Sequence, residues 1–131
     1  MRTIDEVLEY FSLMDDWESR YQYLIDLGKT LPPMPSSLKN EENLIRGCTS
    51  KVCLVPEIRN DVLNFQADSD SHIVKGLIAI LFALYNNQPI ANLPQIPVHD
   101  VFDKLGLSQN LSPNRRNGFF SMVERLRELA P

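Results

Sequence analysis

The chain lacks a long apolar run, an excess of basic charge, and any abundance of cysteine or histidine, and each shortage removes a class of protein. Its longest apolar stretch, Leu77 to Tyr85, falls well short of the roughly 20 residues needed to span a bilayer. The opening "MRTIDEVLEYF" places acids where a signal peptide needs unbroken apolar residues, so the expectation is a cytoplasmic protein with no membrane association. In that reducing compartment the two cysteines, Cys48 and Cys53, are expected to be core residues or to carry chemistry, not to form a structural disulfide. Four residues between them, with only His72 and His99 elsewhere, match no zinc spacing, and two thiols are too few to hold an iron–sulfur cluster. No metal is expected.

With 13 Lys and Arg against 17 Asp and Glu, the chain has no basic footprint for a phosphate backbone, so no nucleic-acid partner is expected. The imbalance lies early: Met1 to Ser50 holds nine acidic and five basic residues, whereas Lys51 to Pro131 holds eight of each. A protein partner suits such a surface.

What the chain does have is 131 residues, 44% of them apolar, enough for one domain with its own core over residues 1–131. Thr3 with Glu6 makes a capping-box pattern around Ile4, Val7, Leu8 and Phe11, and Asp15 with Glu18 repeats it for Trp17, Tyr21, Leu24 and Ile25. Two amphipathic helices are predicted, the second stopped by Gly28. "TLPPMPSS" then interrupts regular structure, and a long polar connection runs from Lys29 to Arg46. Val52–Ile58 and Val62–Ala67 read as a hairpin around the turn residues "RND". After "DSDS", which can cap a helix, "HIVKGLIAILFALYNN" is apolar almost all round, as a central core helix would be, and Gly76 marks close backbone packing. A short helix after Pro97 ends at Gly106. Ser112 with Pro113 opens the last helix, which turns Phe119, Met122, Val123, Leu126 and Leu129 inward. About five helices and one hairpin, with room for a third strand, predict an α+β fold: a small antiparallel sheet packed against helices in two layers.

A thiol reacts as the thiolate, which needs access and positive potential. Cys48 follows Gly47, which removes a side chain beside it and lets a donor approach, and Arg46 and Lys51 are close in sequence. The competing reading is a small buried hydrophobe at a loop end. Cys53 sits within the strand pattern at an odd separation from Cys48, so it faces the other way in a continuous strand and reads as a packing residue. Asp68 and Asp70 read first as helix caps and second as paired carboxylates. Lys75 reads as a snorkelling lysine or as a cation near the Cys48 loop. Arg115 and Arg116 occupy the first turn of the last helix, the end that disfavours cations, which points to an anionic neighbour or to exposure.

The segments "YLIDLGKTLPPMP", "IRGCTSKV", "DSDSHIVKGLIAILFALY", "VFDKLGL" and "LSPNRRNGFFSMVERLREL" together resemble, in order and over nearly the whole chain, the SufE-type sulfur acceptor proteins, including the closely similar CsdE-type members. That resemblance implies a small α+β unit related to the iron–sulfur scaffold proteins. It also implies a protein that takes persulfide sulfur from a cysteine desulfurase of the SufS or CsdA type, stimulates that enzyme, and delivers the sulfur for iron–sulfur cluster assembly. The CsdE-type alternative is delivery to a tRNA-modifying enzyme or another acceptor. The sulfur-carrying cysteine falls on Cys48. Asp70, Lys75 and Arg115 fall on positions implied to dock the partner or support the loop, and with Arg46 and Gly47 beside the cysteine they complete the expected site. No cofactor of its own is implied, because pyridoxal phosphate resides on the desulfurase; the chain is expected to act as that enzyme's partner and not to stand alone. One departure is Cys53, where the family usually has tryptophan, and a second thiol there can intercept the persulfide. Two other readings stay open: a docking adaptor that activates the desulfurase without carrying sulfur, and a thiol redox protein using both cysteines.

Overall fold

In a computed structural model, which describes residues 3–47 and 50–131, the chain opens with α1 (Ile4–Ser12). Its capping box is complete: the Thr3 hydroxyl accepts from the Glu6 N–H and the Glu6 carboxylate accepts from the Thr3 N–H, each at 3.2 Å. The next helix, α2 (Trp17–Gly28), is capped by Asp16, whose carboxylate accepts from the Ser19 N–H at 2.7 Å. Arg20 closes the corner between the two helices. Its Nη2 donates to the carbonyls of Phe11 (3.1 Å), which also accepts from the Met14 N–H, and Met14 (2.9 Å), and its guanidinium lies over the Phe11 and Trp17 rings.

Gly28 does not stop α2 in a left-handed turn. It is the last helical residue, and Lys29 closes the helix in a right-handed conformation. The reason is the next helix, α3 (His72–Tyr85). A Cβ on Gly28 would stand 2.8 Å from the Gly76 nitrogen and from the Lys75 Cβ, and a Cβ on Gly76 would stand 2.3 Å from the Leu24 carbonyl oxygen. The two glycines let the backbones of α2 and α3 meet directly.

The hairpin is β1 (Val52–Arg59) with β2 (Val62–Ser69), antiparallel, Val52 opposite Ser69 and Arg59 opposite Val62. Asn60 and Asp61 between them have φ of +51° and +62°, the two-residue turn whose twist matches that of paired strands. The third strand, β3 (Gln88–Pro89), is only two residues long and pairs with Val62 and Leu63. Period-two alternation sends Val52, Leu54, Leu63, Phe65 and Ala67 into the core, against α3.

Ser71 caps α3, its hydroxyl accepting from the Val74 N–H, so neither Asp68 nor Asp70 is the cap. Buried almost all round, α3 lies between the sheet and the other helices. Beyond it come α4 (Val98–Lys104), ended by Gly106 at φ +72°, and a single turn, α5 (Leu107–Asn110), that the sequence pattern does not reveal. The Tyr21 hydroxyl donates to the Asn110 carbonyl at 2.5 Å and fixes that turn to α2. Last is α6 (Pro113–Arg127), capped by Ser112, with Phe119, Met122, Val123 and Leu126 buried and Leu129 only half-buried beyond its end. Among the described residues, no helix is long and apolar enough to cross a membrane.

The glycine contact yields a direct expectation for Gly76→Ala. Alanine gains about 1 kcal/mol of helix propensity, but a methyl driven into a backbone carbonyl costs about 3 kcal/mol, so overlap wins by about 2 kcal/mol. Thermal unfolding is expected to show a Tm lower by about 6–10 °C; an unchanged or raised Tm would mean the helices separate freely.

Candidate functional site

The connection from Lys29 to Arg46 is not featureless. It holds two short 3₁₀ turns, Ser36–Leu38 and Glu41–Asn43, and then joins the free edge of β1: Leu44 bridges to Cys53, and the Ile45 N–H donates to the Val52 carbonyl at 2.8 Å. Gly47 follows with φ +86°, a conformation that side chains resist, and a Cβ there would stand 2.9 Å from the Ser121 hydroxyl of α6. The positive φ favours glycine, and the Ser121 hydroxyl adds a contact that a side chain would have to displace. Arg46 is exposed over a shallow hollow formed with Ser121, Glu124, Arg125 and Glu128. Cys48 comes next and lies outside the described residues, which resume at Ser50.

Ser50 and Val52 line a cavity of about 360 Å³ between the core side of β1, α3 and α6. Its floor is apolar: Val52, Val74, Leu77, Phe119 and Met122. Ser50, Ser112, Asn114 and Arg115 form the rim, and Arg115 is the one charged group among the described lining residues. Its backbone N–H is taken by the Ser112 hydroxyl at 3.3 Å, while its exposed side chain makes no salt bridge among the described residues. An apolar floor with one cation and no carboxylate at its edge suits a small, polarizable anion such as a thiolate.

The other face of β1 is a different environment. Cys53, a free thiol 8% exposed, is buried beneath the connection and stands outside the main core cluster. It lines a second cavity, of about 450 Å³, with Lys39, Leu44, Lys51, Asp68 and Asp70. Asp68, opposite Cys53 in the sheet, is the polar centre of this face. Its Oδ2 lies 2.8 Å from Lys39 Nζ, and its Oδ1 lies 3.3 Å from Lys75 Nζ and accepts from the Ser69 N–H at 2.8 Å. Burial pushes the Asp68 carboxyl up, but the Lys39 contact, the Ser69 N–H and the charge of Lys75 together outweigh it and hold the group below the usual carboxylate range.

The expected site residues therefore divide. Gly47 and Arg46 lie against α6 and Arg115 lies on the rim of the core-side cavity, whereas Lys75 gives its ammonium to Asp68. Asp70 is exposed on the second cavity, its N–H donating to the Lys51 carbonyl at 3.4 Å. The residue that sequence reasoning missed is Asp68, hidden by a capping pattern while its partner Lys39 is remote in sequence. His72 and His99 are both exposed and line neither cavity; His99 stacks on Phe120 with ring centroids 4.7 Å apart.

Residues 5–130 match the SufE family, described as the Fe-S metabolism associated domain. An uncharacterized SufE-like protein of Rhizobium etli is 42% identical over 134 residues, covering 99% of this chain and 90% of its own length. Another, from Rhizobium meliloti, is 40% identical, covering 99% of this chain and 96% of its own length. The solution structure of a hypothetical protein from Thermus thermophilus superimposes with a TM-score of 0.76 at 18% identity, covering 97% of this chain and 92% of that one, and so shares the α+β fold. With a family match across nearly its whole length and two relatives at this level of identity, the chain belongs to the SufE family of proteins of iron–sulfur metabolism.

Proposed function

We propose that the chain is a sulfur acceptor and carrier in which Cys48 takes persulfide sulfur from a cysteine desulfurase, stimulates that enzyme, and hands the sulfur on for iron–sulfur cluster assembly. The observation that carries the reading is the core-side cavity: it opens beside Ser50, two residues after Cys48, and offers apolar walls with Arg115 as the sole charge among its described lining. The transfer is thiol exchange. The Cys48 thiolate attacks the outer sulfur of the donor persulfide, the donor's sulfur–sulfur bond breaks, a new one forms on Cys48, and the donor cysteine leaves as a thiolate. Nothing is oxidised or reduced overall, and the proton on the outer sulfur travels with it. No metal or organic cofactor on this chain is needed for that step; pyridoxal phosphate acts on the desulfurase, which forms the persulfide.

Two properties of the surroundings favour this chemistry. A guanidinium on the cavity rim would stabilise a thiolate seated there over the thiol, and the apolar walls would keep soluble reductants from a persulfide waiting between transfers. Gly47 and Arg46 lead toward the cysteine from the α6 side, where a docking enzyme would meet Arg46 and Arg125 together with Glu124 and Glu128. The protein acts in the cytoplasm, in a transient complex with the desulfurase.

Intact mass under non-reducing conditions, after incubation with a cysteine desulfurase and L-cysteine, tests the proposal. Wild type and Cys53→Ser are expected to gain the mass of sulfur, and Cys48→Ser to gain none; stimulation of the desulfurase without any gain in mass would identify a docking adaptor instead. Arg115→Ala is expected to raise the Cys48 pKa, because the charged form loses a cation. Iodoacetamide alkylation at pH 7 should slow by about threefold, with the rates converging above about pH 10 where both thiols are ionised. Superimposable rate profiles would remove Arg115 from the thiol's surroundings.

A further inference from the structure

We infer that Asp68 is a positioning residue: gripped by Lys39 and Lys75, its carboxylate fixes the connection that leads into Cys48, and so sets how readily that segment is presented to the desulfurase. The consequence for transfer rests on the sulfur-acceptor reading; the grip itself does not.

The two lysines come from opposite ends of the rigidity scale. Lys75 precedes Gly76, at the point where α2 and α3 touch backbone to backbone, so its main chain has no freedom to shift. Lys39 lies on the connection, which is otherwise held by hydrogen bonds to itself: Asn40 Nδ2 to the Ser37 carbonyl at 3.2 Å and Asn43 Nδ2 to the Leu38 carbonyl at 2.8 Å. Between Ser36 and Ile45, the polar ties to the rest of the fold among the described residues are the Lys39–Asp68 pair and the pairing of Leu44 and Ile45 with β1. Asp68 thus bridges α3, at its close contact with α2, to the connection. Its rotamer is set as well, because Oδ1 accepts from the Ser69 N–H while Oδ2 is left for Lys39.

Burial adds to the grip. The Asp68 side chain is 19% exposed, and Lys39 covers it while the same stretch covers Cys53. The Lys39 side chain itself is 42% exposed, so the pair is shielded on the carboxylate side alone and is screened only somewhat less than an open surface pair. Releasing it leaves the Ile45–Val52 bond as the last polar tie before Gly47, and the segment then samples detached states that a docking enzyme must select against. The apparent affinity falls by the fraction of competent molecules, while turnover at saturation is unchanged.

Amide hydrogen exchange on the isolated full chain tests the grip. In Asp68→Asn and in Lys39→Met, exchange at Asn43 and Ile45 should rise about fivefold, and the double variant should rise no further than either single one. Exchange within α3 should not change. With the desulfurase present, Lys39→Met should raise the concentration needed for half-maximal stimulation and leave the maximal rate intact. Wild-type exchange at Ile45 in both variants, or a rise spread through α3, would overturn the inference, as would a loss of maximal rate with unchanged half-saturation. Failure of wild type to load sulfur would overturn the acceptor reading and leave the exchange rates to decide the grip alone.

Discussion

The contact of Gly28 and Gly76 across α2 and α3 is the constraint from which the rest of the geometry follows. A side chain facing a side chain can adjust by changing rotamer, but a Cβ 2.3 Å from a carbonyl oxygen can be relieved only by moving a helix. The crossing therefore has one close-packed solution, and α3, apolar on nearly every face, carries that solution to its neighbours. Its Val74 and Leu77 become the floor of the core-side cavity, and its Lys75, one residue from the contact, holds its ammonium against the Asp68 carboxylate. Glycine in a helix interior costs about 1 kcal/mol relative to alanine. Here that local loss is accepted for an approach that no other residue permits.

The second organising element is the alternation of β1. Successive residues face opposite sides, so Val52 belongs to the apolar cavity shared with α6, and Cys53 belongs to the lysine- and aspartate-lined space beneath the connection. The two faces of β1 thereby present unlike surroundings. The α6 side offers an apolar floor and Arg115; the connection side surrounds Cys53 with Lys39 and Lys51 and with the carboxylates of Glu41, Asp68 and Asp70, so acids outnumber bases there.

Much of the fold was legible in the sequence where the signal is local. The Thr3–Glu6 box, the Ser112–Pro113 start, the "RND" turn and the apolar run of α3 each record an interaction complete within a few residues. Reading failed where the deciding partner is distant. Gly28 carried the mark of a helix stop, yet its role is set by Lys75 and Gly76. "DSDS" carried the mark of a cap, and Ser71 fills that role, but Asp68 is claimed by Lys39 from a stretch whose prolines forecast only irregularity. The two-residue β3 and the single turn of α5 are too short to show a period at all. At the candidate site the residue types around Cys48 were visible from the motif, whereas the cavity was not, because its walls come from β1, α3 and α6 together.

Arg115 and Arg116 show how the same sequence feature can have two resolutions. Each sits in the first turn of α6, where the helix dipole opposes a cation by about 0.3–1 kcal/mol. Arg116 offsets that cost by donating to the Ser108 carbonyl at 3.1 Å, so its charge is tied into the α5 turn. Arg115 has no such outlet among the described residues and stays on the cavity rim. The net charge of -4 does not cancel it, because exposed charges beyond about 8 Å are largely screened at physiological salt. Within that radius one guanidinium decides. Arg115 therefore keeps an exposed cation on the cavity rim, at a position that the Ser112 cap and Pro113 fix.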